Sequence, residues 1–447
     1  NHIFCFATKY PKEEKGEIKM LDIKLIRKDP DYVKAAIRKR EMNLDSVVDE
    51  ILQVDKERRE ATGNVEAMKA EQNSASKEIS KIKKAGGDAS EVLSKMKTLS
   101  AAIKKADTKL DDINAKQHDL MMALPNLPDD DVQAGGKEKN IPDHYYKEKP
   151  VFNFKPKDHV ELCESLGLID YQRGAKLAGN GAWVYRGWGA RMEWAILNFF
   201  IQEHLADGYE LILPPHMLNY ECGYVAGQFP KFGDEVYWIQ NPTSKDKKFM
   251  LPTAETALVN LHRDEILSAD ELPKKYIAYT PCYRREAGSY RSEERGMIRG
   301  HQFNKVEMVQ YTKPENSDAA FKELVGKAER LVQELGLHYR LSRLAAGDCS
   351  FSMARTYDIE VWIPSMGIYK EVSSASNARS YQARRGNIKY RDENKKLQYV
   401  HTLNASGLAT SRVLPAIVEQ YQNADGSVTV PEVLRPYMGI DVIQLPK

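Results

Sequence analysis

The chain of 447 residues has only five cysteines, which stand far apart and include no Cys-x-x-Cys pair. This spacing excludes a disulfide framework and a zinc knuckle, so we expect no zinc and a reducing, cytoplasmic setting. No run of about 18 apolar residues occurs, and a membrane span is therefore not expected. Residues 1–19 contain three glutamates and no apolar core, unlike a signal peptide, and we assign this N-terminal extension no role.

A surplus of charge of either sign is also absent, because 66 Lys and Arg residues face 64 Asp and Glu residues, a formal net charge of +2. This balance excludes nucleic-acid binding by overall basicity and requires a local patch instead. A glycine-rich phosphate loop of the Walker or dinucleotide type is lacking, so any nucleotide must be held by other means. The length is sufficient for two or three domains, each with a buried core.

The N-terminal part contains two long apolar repeats at heptad spacing. The first covers residues 47–82, with polar Arg58 and Gln72 on its seam, and the second covers residues 92–124. A Gly-Gly pair at 86–87 separates them. Two helices of matching length joined by a short glycine turn predict an antiparallel coiled-coil hairpin. The pattern alone fits a dimerisation or spacer coiled coil as well as a binding arm.

Charge is segregated along this hairpin. Its distal half, residues 69–109, has ten Lys and five acids, whereas the stem, residues 44–68 with 110–124, has four basic residues and ten acids. Clustered lysines favour phosphate contacts, and the lack of aromatics in the distal half disfavours base stacking. The distal half is therefore a candidate nucleic-acid arm. Its candidate contacts are Lys69, Lys77, Lys81, Lys83, Lys84, Lys95, Lys97, Lys104 and Lys105.

A stretch rich in Pro, Gly and Asp, residues 125–145, predicts a linker between an N-terminal domain, 20–124, and a second domain, 146–447. The second domain contains alternating apolar and polar patterns without a βαβ rhythm. These patterns predict an α+β fold with an antiparallel sheet flanked by helices. The predicted strands are 276–284, 302–311, 357–363, 367–374 and 398–403.

One strand–loop–strand segment carries residues suited to a nucleotide. Arg284 and Glu286 end a predicted strand, and Arg299 precedes the next one. Guanidinium groups on such a platform can bind phosphates in bidentate fashion, and Phe303 can stack on a purine. A surface hairpin with ion pairs explains the same residues.

Three further segments carry charge in comparable settings. Glu255, within Thr-Ala-Glu, and Glu307 on a strand suit an ammonium group, although surface charge is the simpler explanation for either one alone. Glu371 on a strand suits Mg²⁺ between phosphates. Arg412 follows a strand that passes into a helix, and a helix N-terminus is an anion site.

Together these segments resemble the signature motifs of class II aminoacyl-tRNA synthetases, and specifically those of the seryl-tRNA synthetase family. Residues 208–215 resemble motif 1, 284–286 resemble the Arg-x-Glu of motif 2, and 407–412 resemble motif 3. The serine-specific features have counterparts in Thr-Ala-Glu at 253–255, His-Gln-Phe at 301–303, Glu-Val-Ser-Ser at 371–374 and Asn-x-Ser-Gly-Leu-Ala at 404–409. The N-terminal hairpin is similar to that family's tRNA-binding arm.

The resemblance implies ATP-dependent activation of L-serine to seryl-adenylate with release of pyrophosphate, then transfer of serine to the 3′ end of tRNA(Ser). Service to tRNA(Sec) stays open. It also implies Mg²⁺, and a homodimer with Pro215 at the interface. The residues implied as catalytic are Arg284, Glu371 and Arg412, with Mg²⁺ held by Glu371 and Ser374. Those implied for ATP are Arg284, Arg285, Glu286, Arg299, Gly300, Phe303, Glu371, Val372, Ser373, Ser374 and Arg412. Those implied for serine are Thr253, Ala254, Glu255, Arg284, Glu307, Asn404 and Ser406.

The sequence departs from the family pattern at two places. The motif 2 loop reads Arg-Ser-Glu-Glu-Arg-Gly at 291–296, where Gly-Arg-Asp-Thr-Arg-Gly is common, so contacts with the tRNA acceptor end are not predicted. Ala375 and Ala378 stand where many members have cysteine, so no thiol or zinc chemistry is expected there.

Two other functions are compatible with parts of the sequence. An enzyme that loads an activated amino acid onto a carrier protein would not need the long lysine-tipped hairpin. A catalytically inactive RNA-binding scaffold would not need the complete set of charged residues named above.

Overall fold

Four helices make up the N-terminal part that the structure describes. The computed structural model describes residues 21–240, 246–286 and 296–446, so the extension 1–19 and motif 2 loop residues 291–295 lie outside it. The helices are α1 Ile23–Lys28, α2 Pro30–Arg38, α3 Asp45–Lys84 and α4 Ser90–Met122. The Asp29 side chain caps α2 by accepting from the Tyr32 amide, and Pro30 opens that helix, where its missing N–H costs nothing.

Helices α3 and α4 form the predicted antiparallel hairpin, and α3 alone is about 60 Å long at the usual rise per residue. The polar seam positions have partners. Arg58 lies 3.6 Å from the buried carboxylate of Asp55, which also accepts a hydrogen bond from Gln117 of α4 at 3.2 Å. Gln72 donates to the Ser100 hydroxyl at 2.8 Å. The predicted coiled-coil hairpin is confirmed.

The segment predicted as a linker is docked on the second domain. Asp129 accepts hydrogen bonds from Arg355 at 2.9 Å and from Arg379 at 2.7 Å. Strand β1, Ile141–Tyr146, begins inside the predicted linker and pairs with a strand of the central sheet. This strand was not predicted, because Pro142 and the preceding glycines are typical of a linker. A proline is tolerated in an edge strand because one side of the strand needs no ladder hydrogen bond.

Arg40 joins the two domains more directly. Its guanidinium is buried and donates to the carbonyl oxygens of Asn126 at 2.9 Å, Ala346 at 3.2 Å and Cys349 at 3.1 Å. It also donates to the carbonyl of Met353. These carbonyl acceptors offset much of the cost of burying the guanidinium, so this contact holds the base of the hairpin against the second domain.

The second domain is rich in strands. After β1 these are β2 Ile169–Asp170, β3 Val184–Tyr185, β4 Glu210–Leu211, β5 Met217–Asn219, β6 Trp238–Ile239, β7 Lys248–Met250, β8 Ile266–Ser268, β9 Lys274–Tyr283, β10 Gln302–Thr312, β11 Tyr339–Arg343, β12 Arg355–Ile363, β13 Ile368–Arg379, β14 Lys389–Arg391, β15 Leu397–Tyr399, β16 His401–Ala409, β17 Val428–Thr429 and β18 Val442–Ile443. Eight of them form one large sheet with the order β1-β11-β12-β13-β16-β10-β9-β4. All neighbours in the sheet are antiparallel except β4 and β9, which are parallel.

Helices flank this sheet, and three of them cover one of its faces. They are α5 His159–Ser165, α6 Tyr171–Ala178, α7 Gly187–Ala206, α8 Tyr220–Ala226, α9 Glu255–Leu258, α10 Ser317–Glu334, α11 Tyr381–Arg385, α12 Thr410–Gln420 and α13 Arg435–Met438. Helices α7, α10 and α12 share one apolar core with the sheet, including Val306 and Met308 of β10. Because side chains alternate along a strand, Lys305 and Glu307 face the opposite side.

The predicted α+β class is confirmed, with one correction to the strands. The range 398–403 is two strands, since β15 ends at Tyr399 and β16 begins at His401. At buried Val400 the chain leaves a small three-stranded sheet and enters the large one. Alternation continues across that junction, so the pattern does not show the change of sheet. Among the helices that the structure describes, none has the length and apolar character of a membrane span.

Candidate active site

A cluster of buried polar side chains lies where β10 and β16 meet the start of α9. Glu307 and Ser406 are paired directly across the two strands, and Asn404 lies two residues before Ser406 on the same face. The Asn404 amide donates to Glu307 at 3.1 Å and to Glu255 at 3.3 Å. The Thr253 hydroxyl lies 3.3 Å from Glu307. The predicted serine-binding residues Thr253, Glu255, Glu307, Asn404 and Ser406 are thus brought together.

Lys305 belongs to the same cluster and was not among the predicted site residues. Its Nζ lies 2.5 Å from Oε2 of Glu307 and donates to the Thr253 hydroxyl at 2.8 Å. Since Thr253 accepts from Lys305, its own proton is available to Glu307. The sequence contains the signal, because Lys305 lies two residues before the predicted site residue Glu307 on a strand, and such residues share a face.

Gln382 was also missed and supports the second carboxylate. It donates to Oε1 of Glu255 at 2.8 Å and accepts from the Thr402 hydroxyl at 2.7 Å. Burial, followed by the negative charge of Glu307, raises the pKa of Glu255 to about 7. A carboxyl held close to a second carboxylate in this way is suited to bind a cation that neutralises both, such as an ammonium group.

Several residues that are predicted to bind ATP form a neighbouring group, which lies where β9 ends and β10 begins. The Arg284 guanidinium lies 5.2 Å from the ring centroid of Phe303, and its Nε donates to the Pro252 carbonyl at 3.2 Å. Arg299 donates from Nε to Glu286 at 2.6 Å. Glu286 has a φ of +52°, a left-handed conformation uncommon for this residue type. The backbone therefore leaves the extended conformation by Glu286, two residues after Arg284.

Arg412 connects this group to β13. Its Nη1 donates to the Glu371 carbonyl at 2.8 Å and lies 3.4 Å from the Glu371 carboxylate. Asp358 pairs with Ser374 across β12 and β13, and its buried Oδ1 has no hydrogen-bond partner among the residues that the structure describes. Burial and the charge of Glu371 raise the pKa of Asp358 well above its usual range. Asp358 is the third residue that the sequence did not reveal.

Oxygen ligands of this kind fit Mg²⁺. Glu371 and Ser374 supply a carboxylate and a hydroxyl, and the orphaned oxygen of Asp358 adds a further acceptor close by. In the part of the chain that the structure describes, no group of three or more His, Cys, Asp or Glu side chains forms a complete metal site. Mg²⁺ at this position would therefore take its remaining ligands from water and substrate phosphates, as it usually does.

Three predicted site side chains point elsewhere. Arg285 donates to the Asp234 carbonyl at 3.1 Å, because it follows Arg284 on an extended segment and so leaves on the other side. Val372 is 1% exposed and Ala254 is fully buried, each within an apolar cluster. Only the backbone groups of these two residues remain available to a ligand.

Two further predicted residues have packing roles. The Ser373 hydroxyl donates to the Ser406 carbonyl at 2.6 Å and so links β13 to β16. A Cβ on Gly300 would overlap the ring of Trp183. Glycine at 300 is therefore required by the close approach of an indole ring, whatever its part in ATP binding.

The predicted arm and interface residues are mostly exposed. Of the nine arm lysines, Lys69 is half-buried and pairs with Asp107 at 2.9 Å, and Lys95 pairs with Glu91 at 3.2 Å. Pro215 is exposed. Leu213, two residues earlier, is 76% exposed, which is unusual for a leucine.

Comparisons with known proteins agree with this site. The Seryl-tRNA synthetase N-terminal domain matches residues 20–128, and the tRNA synthetase class II core domain (G, H, P, S and T) matches residues 237–421. Serine–tRNA ligase 2 of Clostridium acetobutylicum is 64% identical over 425 residues, 94% of this chain and 100% of that protein. Serine–tRNA ligase of Fervidobacterium nodosum is 46% identical over 428 residues, 95% of this chain and 99% of that protein.

A solved structure is similar over the same length. The seryl-tRNA synthetase of Pyrococcus horikoshii, complexed with ATP, is 33% identical, with a TM-score of 0.89 and coverage of 96% of this chain and 100% of that one. The likeness thus includes both the helical hairpin and the sheet domain. The chain therefore belongs to the seryl-tRNA synthetase family of class II aminoacyl-tRNA synthetases.

Proposed function

We propose that this chain activates L-serine with ATP and transfers the serine to the 3′ end of tRNA(Ser). The observation that carries the proposal is the buried cluster of Thr253, Glu255, Lys305, Glu307 and Asn404 beside a group of arginines. Such a cluster has no structural need for two carboxylates, since burying them is costly. Lys305 pairs with Glu307, whereas the described side-chain donors to Glu255 are the neutral amides of Gln382 and Asn404. A bound ammonium group therefore supplies the cation that balances the charge of Glu255.

The serine site is suited to a small hydroxylated amino acid. Glu255 and Glu307 bind the ammonium group and the hydroxyl, and Ser406 lies directly across from Glu307. Alanine would leave the hydroxyl partners buried and unpaired, which can lower its use by several orders of magnitude. Lys305 keeps Glu307 in place through its 2.5 Å contact, so the pocket is fixed before the substrate arrives.

In the first step an oxygen of the serine carboxylate attacks the α-phosphorus of ATP. A new carboxylate–phosphorus bond forms as the bond to the β-phosphate oxygen breaks, and pyrophosphate leaves. Arg284 holds the carboxylate and α-phosphate, and Arg412 holds the far phosphate, so charge is stabilised as it moves. Glu286 and Phe303 seat the adenine. Positioning and electrostatics supply the rate, and no protein side chain forms a covalent bond.

Glu371 and Ser374 would hold Mg²⁺, which would supply positive charge to neutralise the phosphates. Arg412 is tied to Glu371 through both the carbonyl and the carboxylate of that residue. The phosphate-binding arginine and the metal-binding carboxylate are thus placed as one unit.

In the second step a ribose hydroxyl of the terminal adenosine of the tRNA attacks the carbonyl carbon of seryl-adenylate. An ester bond forms, the bond between the carbonyl carbon and the phosphate oxygen breaks, and AMP and the hydroxyl proton leave. The distal half of the hairpin, residues 69–109, holds the tRNA through its exposed lysines. Charge attraction of this kind recognises phosphates and RNA shape more than base sequence.

A homodimer is the proposed assembly, with the arm of one subunit serving the active site of the other. Exposed apolar side chains next to Pro215 along the chain support it, since Leu213 and Met217 are 76% and 60% exposed. Large exposed apolar residues in one region are typical of protein interfaces. A reducing, cytoplasmic setting is proposed because the four described cysteines are free.

Serine-dependent exchange of pyrophosphate into ATP tests the first step. Arg284→Ala should abolish exchange, whereas Arg285→Ala should retain most of it, because the neighbouring guanidinium points to the Asp234 carbonyl. Leucine, alanine and threonine should each support far less exchange than serine. Equal exchange with these amino acids would contradict the proposed specificity.

A shortened arm tests the second step. Lys69 and Asp107 face each other at 2.9 Å, so residues 70–106 can be replaced by a short glycine turn that closes the hairpin at that level. The shortened protein should form seryl-adenylate at the wild-type rate and lose serine transfer to tRNA. Undiminished transfer would contradict the role of the arm.

A further inference from the structure

Helix α7 carries a buried carboxyl group, Glu193, that the proposed reaction does not use. The residue is 3% exposed. Its Oε1 lies 2.7 Å from the Asn304 amide nitrogen and 2.6 Å from the Thr410 hydroxyl. Its Oε2 is buried and makes no hydrogen bond of ordinary geometry with the described residues, and the Tyr185 hydroxyl lies beside the carboxyl group. Burial raises the pKa of Glu193 to about 7.

Both partners adjoin ATP-binding residues. Asn304 directly follows Phe303 on β10, and Thr410 begins α12 two residues before Arg412. The Thr410 hydroxyl also lies 3.1 Å from the Asn304 carbonyl oxygen. Glu193 therefore sits where β10 and α12 come together, behind the two segments that present the aromatic ring and the phosphate-binding guanidinium.

The hydrogen-bond count favours a closed ring of three residues. Thr410 has one hydroxyl proton but two acceptors within reach, Glu193 and the Asn304 carbonyl. If Glu193 carries a proton on Oε1, it donates to Thr410, Thr410 donates to the Asn304 carbonyl, and the Asn304 amide donates to Glu193. Each of the three residues then donates one hydrogen bond of the ring and accepts one, and the remaining carboxyl oxygen is a neutral carbonyl, which is less costly to bury than a carboxylate.

Near its C-terminal end, helix α7 also contacts the segment that resembles motif 3, residues 407–412. A Cβ on Gly407 of β16 would lie 2.9 Å from Nε2 of His204 on α7. The segment from Gly407 to Thr410 is therefore supported from behind at two points, and Leu408 between them has a φ of +69°. A left-handed leucine persists only when its surroundings hold it in place.

We propose that Glu193 is a positioning residue for ATP: through Asn304 and Thr410 it fixes the distance between Phe303 and Arg412. Glu193 is expected to affect the binding of ATP and not that of serine, since the serine-binding side chains Glu255 and Glu307 have other partners. The inference rests on the proposed function, because it takes Phe303 and Arg412 as ATP-binding.

Thr410→Val removes the hydroxyl of the ring and keeps the side-chain shape, and Glu193→Gln removes the proton that closes it. Each should raise the KM for ATP in pyrophosphate exchange about tenfold, the effect of roughly one hydrogen bond, and leave the KM for serine within about twofold. Thr410→Ser, which restores the hydroxyl, should bring the KM for ATP back to the wild-type value. Equilibrium dialysis with ATP alone should show the same order of affinities.

A purely structural role predicts a different result. Thr410→Val would then lower the melting temperature and the active fraction while the KM and the dissociation constant for ATP stayed at wild-type values, and that outcome would overturn the proposal. Equal increases in the KM for ATP and for serine would overturn it as well. If the wild-type protein bound ATP but showed no serine-dependent exchange, the proposed function would fail, and the dialysis series would still decide the role of Glu193.

Discussion

Serine affinity should depend on pH through Glu255. The carboxyl is buried beside Glu307, and this environment raises its pKa to about 7. Below that pH, Glu255 of the free protein carries a proton, whereas binding of the serine ammonium favours the ionised form. Binding at low pH must therefore release a proton, and the KM for serine should rise as the pH falls.

The size of the effect follows from one titrating group. With a pKa of about 7, roughly one molecule in eleven is ionised at pH 6 and about ten in eleven at pH 8, so the KM for serine should be about tenfold higher at pH 6. The serine ammonium keeps its proton over this range when it lies between two carboxylates, since opposite charge favours its charged form. The dependence is thus assigned to the protein.

Pyrophosphate exchange at saturating ATP, measured from pH 6 to pH 8, is the assay. Saturation matters because Glu193 also has a pKa of about 7, and its effect should fall on ATP. Glu255→Gln should raise the KM for serine and make it independent of pH. Glu265→Gln, which changes an exposed carboxylate of the same domain, should keep the wild-type profile. A flat wild-type profile, or an unchanged slope in Glu255→Gln, would refute the reasoning.

Three further predictions concern the arm, the domain contact and motif 2. Alanine at three exposed tip lysines should lower the salt dependence of tRNA binding by about two to three units of log K per log salt, without changing pyrophosphate exchange; these are Lys81, Lys83 and Lys84. Arg40→Met leaves buried carbonyls unpaired and should lower the free energy of unfolding in urea by about 3 kcal/mol or more. Gly300→Ala should raise the KM for ATP about tenfold by displacing Trp183, and Trp183→Leu should restore part of the loss.

Elements that depend on a repeating burial pattern were predictable from the sequence. The hairpin follows from heptads, and β9, β10, β12 and β13 follow from alternation, because burial of one face imposes a period on the residues that form it. The break at Val400 was not predictable, since alternation does not record which sheet a strand joins. Strand β1 was missed for a related reason, since it is an exposed edge strand with little apolar pattern.

The candidate site divides in the same way. Residues whose chemistry is visible in a motif, such as Glu255, Glu307 and Arg412, lie at the site. Gln382 could not be found from the sequence, because it comes from α11 and meets Glu255 only through the fold. Arg285 shows the reverse, since its neighbour Arg284 lies at the site and strand geometry sends the two side chains apart.

The glycines at 300 and 407 belong to recognisable motifs, but the motifs do not reveal which contact requires a glycine at these positions. Gly300 leaves room for the indole of Trp183, and Gly407 leaves room for His204, whose Nε2 would lie 2.9 Å from an added Cβ. Neither close approach involves a ligand, yet each fixes how far a ligand-bearing strand lies from the element behind it. Interiors are too densely packed to absorb a methyl group without movement, so Gly407→Ala should shift Arg412 as effectively as a change at the phosphate site itself. If packing is the cause, His204→Ala in the same protein should recover ATP binding, whereas a direct contact of Gly407 with ATP predicts no recovery.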